Sequence, residues 1–190
     1  DGKIIIGGWF TSYNGGACGR IARLNVDGTL DATFTPGSGA SSSLNAITLQ
    51  SDGRILIGGD FTTYNGTARG RIARLNVNGS LDATFTSGTG ASNSVRSLAV
   101  HTDGKVMIGG WFETFNGTTR KRIARLSAAG NLDLSFNPGS GVDDPGNINE
   151  LPVVNAIAIQ SDGEAVIGGI FSQYNGTPRA NVARLNEDGS

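Results

Sequence analysis

Acidic side chains and a single imidazole are the groups in this sequence whose chemistry could support catalysis. The chain has one histidine, His101, and four glutamates, Glu113, Glu150, Glu164 and Glu187. Glycoside hydrolysis needs two carboxyl groups that converge on one cleft, and a catalytic triad or a histidine-based metal site would depend on His101 alone. The glutamates occupy unrelated positions in a repeated pattern. We therefore interpret His101 as a polar residue at a strand end and expect no catalytic residues.

An eight-residue insertion offers the oxygen atoms that could hold a cation. Phe136 and Asn155 are 19 positions apart, whereas the equivalent residues of the two preceding copies are 11 apart. Hard oxygen ligands suit Ca²⁺, although the spacing of an EF-hand is absent. A solvated surface insertion is the favoured interpretation, and we expect no other cofactor. The alternative is a calcium site formed by Asp143, Asp144, Asn147, Asn149 and Glu150.

A unit of about 51 residues recurs through the chain and contains the candidate residues named above. Its Asp-Gly motif begins at Asp1, Asp52, Asp103 and Asp162, at intervals of 51, 51 and 59 residues. Ile-Gly-Gly-x-Phe, aromatic-Asn-Gly and (Ile/Val)-Ala-Arg-Leu follow in that order in every copy. We predict one repeat domain over 1–190, with copies at 1–43, 44–94, 95–153 and 154–190. Because the sequence starts inside a repeat, we expect a fragment of a larger chain.

Each complete copy contains four short runs of apolar and β-branched residues separated by turn signals. In the second copy the runs are Leu44–Gln50, Arg54–Phe61, Arg71–Asn76 and Leu81–Thr86. No helical periodicity of useful length is present. The pattern predicts an all-β fold, a β-propeller or partial propeller built from four-stranded antiparallel blades.

The hairpin between the third and fourth runs has a register set by its apolar residues. A three-residue loop at residues 26–28 pairs Leu24 with Leu30. It also pairs Ala22 with Ala32 and places a glycine where a bulge needs a left-handed residue. The same register sets an arginine opposite an aspartate. We predict structural pairs of Arg23 with Asp31, Arg74 with Asp82 and Arg125 with Asp133.

The residue after each Gly-Gly pair varies within an otherwise regular repeat. It is Trp9, Asp60, Trp111 or Ile170 in the four copies. A binding surface would diversify at such a place, and the two tryptophans could stack on sugar rings. Packing of the indole rings between blades is the alternative, and it is the favoured interpretation. We take Trp9, Asp60 and Trp111 as candidate ligand-binding residues.

Composition excludes several other classes of protein. The net charge is −1 at pH 7 and 16% of the residues are charged, so we expect no nucleic-acid partner. No apolar run reaches the ~18 residues of a transmembrane helix, so we expect no membrane insertion. Cys18 is the single cysteine, which leaves no internal disulfide. The 30 glycines indicate many tight turns.

Three motifs together resemble the delta-sixty repeat, a bacterial β-propeller family whose biochemical role is largely undefined. They are Leu-Asp-Ala-Thr-Phe-Thr-Pro-Gly-Ser-Gly at 30–39, Gln-Ser-Asp-Gly-Arg-Ile-Leu-Ile-Gly-Gly-Asp-Phe at 50–61 and Arg-Ile-Ala-Arg-Leu-Asn at 71–76. The resemblance covers the whole chain. It implies a propeller within a large secreted or cell-surface bacterial protein, including adhesin-like ones, and supplies no catalytic residues. Asn181 departs from the pattern, since the other copies have arginine there.

These observations favour a non-catalytic extracellular scaffold, or a binding and adhesion module whose ligand is an unidentified glycan or protein. A location outside the cell or on the bacterial cell surface follows from the resemblance. One alternative is a propeller hydrolase or lyase with its site in the central channel. Another is a subunit of a ring or filament, a homo-oligomer that associates through an open propeller seam.

Overall fold

The structure, a computed structural model, describes residues 1–144, 146 and 151–190. Every regular element in that part of the chain is a β-strand, as the β-branched runs predict. The same residues include no helix long and apolar enough to cross a bilayer.

Three strands of each complete copy form an antiparallel sheet. The first strands are β5 (Leu44–Leu49), β10 (Val95–Val100) and β16 (Val153–Ile159). The second strands are β1 (Ile4–Gly7), β6 (Ile55–Gly59), β11 (Val106–Gly110) and β17 (Ala165–Ile170). The third strands are β4 (Ile21–Leu24), β9 (Ile72–Leu75), β14 (Ile123–Leu126) and β20 (Val182–Leu185). The sheet orders are β5-β6-β9, β10-β11-β14 and β16-β17-β20, and β1 pairs with β4.

A small hairpin follows each second strand and turns at the aromatic-Asn-Gly motif. In the second copy, Asn65 has φ of 47° and Gly66 has φ of 76°, the left-handed values that a two-residue hairpin turn requires. One further strand, β15 (Val142–Asp143), pairs with the last hairpin. The hairpin strands are β2 (Ser12–Tyr13), β3 (Gly16–Ala17), β7 (Thr63–Tyr64), β8 (Thr67–Ala68), β12 (Thr114–Phe115), β13 (Thr118–Thr119), β18 (Gln173–Tyr174) and β19 (Thr177–Pro178).

The fourth apolar run is not a strand, so the prediction of four-stranded blades is wrong and the blade sheets have three strands. Leu81 makes only a single β-bridge, with Leu75. The reason is the carboxylate of Asp82, whose Oδ1 accepts hydrogen bonds from the Thr84 amide at 2.9 Å and the Thr84 hydroxyl at 2.7 Å. This local turn competes with the strand ladder and ends it.

The first copy shows the same interruption. Leu24 pairs with Leu30 as predicted. The predicted pairing of Ala22 with Ala32 is wrong, because Asp31 accepts hydrogen bonds from the amide and hydroxyl of Thr33 and turns the chain away.

The core lies between successive copies. Ile21 and Phe34 of the first copy pack in one cluster with Ile57 and Phe61 of the second. Equivalent clusters join the second copy to the third and the third to the fourth. Strand contacts follow the same sequence, from β1 to β5, from β5 to β10 and from β10 to β16. Each large side chain buried in this way contributes about 1.5–3 kcal/mol, so every copy is stabilised by its neighbours, as the blades of a propeller are.

Candidate functional site

The first three copies place an arginine against an aspartate near the Asp-Gly turns, in the three predicted combinations. The distances from arginine Nε to aspartate Oδ2 are 2.7, 2.7 and 2.8 Å for Arg23–Asp31, Arg74–Asp82 and Arg125–Asp133. Arg74 and Asp82 are 6% and 4% exposed. A buried ion pair is stable only when its remaining polar atoms are also satisfied.

The other guanidinium nitrogens satisfy that condition and join neighbouring copies. Arg74 Nη1 donates to the carbonyl of Ala128 in the next copy at 2.6 Å. Its Nη2 donates to Thr84 Oγ1 at 3.1 Å, and the Phe85 ring centroid lies 5.0 Å from its Cζ. The equivalent arginines reach the carbonyls of Val77 and Glu187. We call this arrangement the clamp; in the second copy it consists of Arg74, Asp82 and Phe85.

The clamp holds its aspartates in the ionised form. Burial raises the pKa of Asp82, but hydrogen bonds from Thr84 and the Arg74 guanidinium outweigh burial and lower the pKa to about 2. Hydrogen bonds from Lys3 and Thr33 lower the pKa of Asp31. A carboxyl group with such a low pKa is a weak general base and is not protonated near neutral pH. These aspartates are therefore suited to structure.

The opposite end of each three-stranded sheet carries the Gly-Gly pair and a β-bulge. In β5 the register passes from Leu44 to Ala46 and skips Asn45. The facing strand supplies Gly59, where a Cβ atom would fall on the carbonyl oxygen of Ser43. A bulge re-aims the side chain of its extra residue. The equivalent bulges of β10 and β16 skip Arg96 and Asn155.

Bulge residues and the residues that follow Gly-Gly lie at the same end of the sheets, which we call the rim. In the second copy, Asp60 Oδ2 accepts hydrogen bonds from Ser43 Oγ at 2.7 Å and Asn45 Nδ2 at 3.3 Å. In the third copy, Arg96 Cζ lies 3.8 Å from the centroid of the Trp111 ring. The rim comprises Trp9, Asn45, Asp60, Arg96, Trp111, Asn155 and Ile170, and each is at least partly exposed.

The two tryptophans of the rim are not buried between blades. Trp9 is 79% exposed and Trp111 is 36% exposed. In the first copy the position equivalent to Arg96 would precede Asp1, so the second and third copies define the chemistry of the rim. Sequence reasoning identified Trp9, Asp60 and Trp111 but missed Asn45 and Arg96, because the bulge that turns them towards the rim is not visible in the local strand pattern.

Hydrogen bonds also hold Asp60 in its ionised form. Burial raises its pKa, but the hydroxyls of Ser94 and Ser43, the amide of Asn45 and the charge of Arg96 lower it overall. Asn45 Nδ2 also lies 3.0 Å from Ser94 Oγ and 3.5 Å from the carbonyl oxygen of Val95, the first residue of the third copy, so it links the rim of the second copy to the third.

Most of the residues of the predicted calcium site lie outside the part of the chain that the structure describes. Asn147, Asn149 and Glu150 are not among the described residues. Asp143 Oδ2 lies 3.7 Å from Lys121 Nζ, and Asp144 Oδ1 accepts a hydrogen bond from Ser172 Oγ at 2.7 Å. The described residues contain no group of three or more His, Cys, Asp or Glu side chains placed to hold a metal ion. The calcium site stays a prediction.

A cleft of 740 Å³ lies at the clamp end, between the Asp-Gly turns of the second and third copies, at Asp52 and Asp103. His101 lines it, and burial and the charge of Arg125 lower the pKa of its imidazole. Arg54 lies 3.7 Å from both Asp52 and Asp82, and Asp103 Oδ2 lies 3.1 Å from Lys105 Nζ, so each carboxyl group that lines the cleft has a cation beside it. The cleft presents no pair of unengaged carboxyl groups among the residues that line it.

Stacked antiparallel sheets with a repeated clamp define the class of this protein as a β-propeller. Four segments, residues 1–34, 50–85, 101–136 and 160–190, match the model of a family described as a domain of unknown function (DUF5122) β-propeller. The chain belongs to this family.

Solved structures share the fold at low sequence identity. The WD40 β-propeller domain of Doa1 matches with a TM-score of 0.52 and 15% identity, over 86% of this chain and 42% of that one. The extracellular domain of BT3049 from B. thetaiotaomicron, named for a hybrid two-component system, matches with a TM-score of 0.50 and 17% identity, over 98% of this chain and 19% of that one. The chain thus spans less than half the length of either structure. A search of the curated proteins found no match.

Proposed function

We propose that this chain is a non-catalytic binding module and that the rim is its ligand-binding surface. The observation that carries the proposal is the contrast between the copies at the rim and elsewhere. The rim holds Trp9, Asp60, Trp111 or Ile170 after Gly-Gly, whereas Ala-Arg-Leu recurs unchanged in all four copies. Packing accounts for the repeated residues. Exposed aromatic and charged side chains that differ between copies are the kind that contact a ligand.

A saccharide is the ligand class that best fits these side chains. The Trp111 indole offers an apolar ring of the kind that packs on the C–H face of a sugar. Asp60 and Asn45 add a hydrogen-bond acceptor and a donor within the same surface. Binding sites commonly combine an aromatic contact with a few placed polar groups in this way. No cofactor is required for such binding.

We also propose that the module belongs to a secreted or cell-surface bacterial protein in which it serves adhesion. Two observations support this. The motifs of the chain resemble the delta-sixty repeat of such proteins, and we propose membership in that repeat family. One structure with a similar fold is the extracellular domain of a B. thetaiotaomicron protein.

The absence of catalysis is part of the proposal. Its support is that the repeated aspartates of the clamp are each engaged by an arginine and a hydroxyl, as Asp82 is by Arg74 and Thr84. A glycoside hydrolase needs carboxyl groups that are free to exchange protons with a substrate.

A glycan array tests the proposal directly. Wild-type protein should bind at least one class of glycan, and Trp111→Ala should weaken that binding about tenfold, as expected for loss of an aromatic contact. The matched control is Leu134→Ala, because Leu134 is an apolar residue, 73% exposed, at the clamp end. A blank array would contradict the saccharide ligand. Release of shortened oligosaccharides during incubation would contradict a non-catalytic role.

A further inference from the structure

Arg96 differs from every other arginine in the part of the chain that the structure describes. Each of the others donates a side-chain hydrogen bond or forms an ion pair, and the clamp arginines do both. Arg96 does neither with any described residue, and its Nε is buried without a partner. A guanidinium has five N–H donors in a fixed plane, so its terminal nitrogens are left to solvent or to a ligand.

The guanidinium of Arg96 is nonetheless held in place. Its Cζ lies 3.8 Å from the centroid of the Trp111 ring, a cation–π contact. The β-bulge of β10 fixes its backbone, and the Trp111 amide donates to the Ser94 carbonyl at 2.9 Å. A donor group that is oriented before binding loses less conformational entropy when a ligand arrives.

Asp60 offers the complementary group in the neighbouring copy. Its carboxylate accepts hydrogen bonds from the neutral side chains of Ser43 and Asn45, and the Ser94 hydroxyl also lowers its pKa. Among the described residues no arginine or lysine forms an ion pair with Asp60, Arg96 included. The rim therefore presents, on adjacent copies, a guanidinium without an acceptor and a carboxylate without a cationic partner.

We propose that the rim binds an acidic saccharide, whose carboxylate accepts hydrogen bonds from Arg96 and whose hydroxyl donates to Asp60. This inference rests on the proposed function. The planar fork of a guanidinium matches the two oxygens of a carboxylate, and charge-assisted hydrogen bonds are stronger than neutral ones. A neutral sugar leaves Arg96 without a charged acceptor. An acidic ligand without hydroxyl groups offers Asp60 no hydrogen-bond donor.

The test compares two ligands that have the same ring hydroxyls but differ in charge. Oligogalacturonate and its methyl ester share the same ring hydroxyls, and only the free acid carries a carboxylate. We expect wild-type protein to bind the free acid at least tenfold more tightly than the ester in calorimetric titrations. Arg96→Gln should weaken binding of the acid about 10- to 100-fold and binding of the ester less than about threefold, which removes the preference.

Arg120→Gln is the matched control, because it removes the same charge from the same copy and, among the described residues, the Arg120 side chain donates only to the adjacent Thr119 carbonyl. This variant should keep the preference for the acid. Equal weakening of acid and ester by Arg96→Gln would overturn the inference, since Arg96 would then act by supporting Trp111.

The remaining outcomes separate this inference from the proposed function. If the array shows neutral glycans bound as well as uronates, the saccharide-binding function stands and the acidic specificity is wrong. Binding of sulfated sugars without binding of uronates would also contradict a carboxylate subsite. If no glycan binds, both proposals fail.

Discussion

Both ends of the sheets carry arginine and aspartate side chains, but the surroundings of these side chains differ. At the clamp end, Arg74 and Asp82 are buried, fully hydrogen-bonded and repeated in three copies. At the rim, Arg96 and Asp60 are partly exposed, incompletely bonded and present in one copy each. Arginine and aspartate therefore stabilise the fold at the clamp end, whereas at the rim they retain capacity to bind a ligand. The difference lies in the hydrogen-bond partners around them.

The clamp also shows how a repeat with small sheets is held together. Three strands bury little surface by themselves, and the polar link from Arg74 to Ala128 crosses to the next copy. Apolar packing and this link act between the same two copies. At the rim the backbone bulge places Asn45 and Arg96, and the polar links there run through the exposed side chain of Asn45 instead of a buried ion pair. Residues at the rim are thus free to vary.

The largest effect should come from breaking a clamp. Asp82→Ala leaves the Arg74 guanidinium buried without its carboxylate and should lower the free energy of unfolding by about 3–5 kcal/mol. Chemical denaturation measures this. Asp52→Ala is the control: the Asp52 side chain is 54% exposed, and its loss should cost less than about 1 kcal/mol. Equal losses of unfolding free energy in the two variants would show that the buried Arg74–Asp82 pair does not stabilise the fold more than an exposed pair does.

Acid should weaken the clamp in a defined range. The pKa of Asp82 falls from its ordinary 3.8 to about 2 in the folded protein. A lowered pKa adds stability above the unfolded value, and this contribution, about 2 kcal/mol, is lost as the pH falls from about 4 through 2. Unfolding free energies of wild type and Asp82→Asn should converge over that range. A difference that stays constant with pH would contradict the role of the ionised carboxylate.

A methyl group at the bulge should also destabilise the protein. In Gly59→Ala the new Cβ falls on the Ser43 carbonyl oxygen, and the strain should cost about 1–3 kcal/mol. Gly8→Ala is the matched control, since the equivalent Cβ in the first copy would meet only Phe10 at 3.6 Å. Thermal unfolding of both variants gives the comparison. Equal melting temperatures would show that β5 does not approach the Gly-Gly pair this closely.

Rim substitutions should have the smallest effect on stability. Asp60→Asn and Trp111→Ala remove exposed or half-buried groups, and each should change the free energy of unfolding by less than about 1 kcal/mol. The same denaturation assay measures them beside Asp82→Ala. A loss as large as that of the clamp variant would mean that the rim is structural, and the distinction between the two ends would fail.

Much of the framework could be predicted from the sequence because the apolar pattern fixes register. Leu24 and Leu30 share a face only if the loop has three residues, and the Arg23–Asp31 contact follows from that register. The fourth strand could not be predicted in the same way. Its apolar residues have strand propensity, but Asp82 bonds to Thr84 instead and turns the chain.

The rim was only partly predictable. Trp9, Asp60 and Trp111 are conspicuous because they vary at a fixed position after Gly-Gly. Arg96 belongs to the rim only because a bulge skips it, and the bulge depends on glycines in the facing strand. The available signal was the substitution of arginine at a place where the second and fourth copies have Asn45 and Asn155.

An NMR titration of the ¹⁵N-labelled protein with oligogalacturonate locates the binding surface directly. We expect chemical-shift changes to concentrate at Asn45, Asp60, Arg96 and the Trp111 indole, and we expect Asp52 and His101 at the clamp end not to shift. Changes centred on the cleft around His101, with an unperturbed rim, would contradict this expectation.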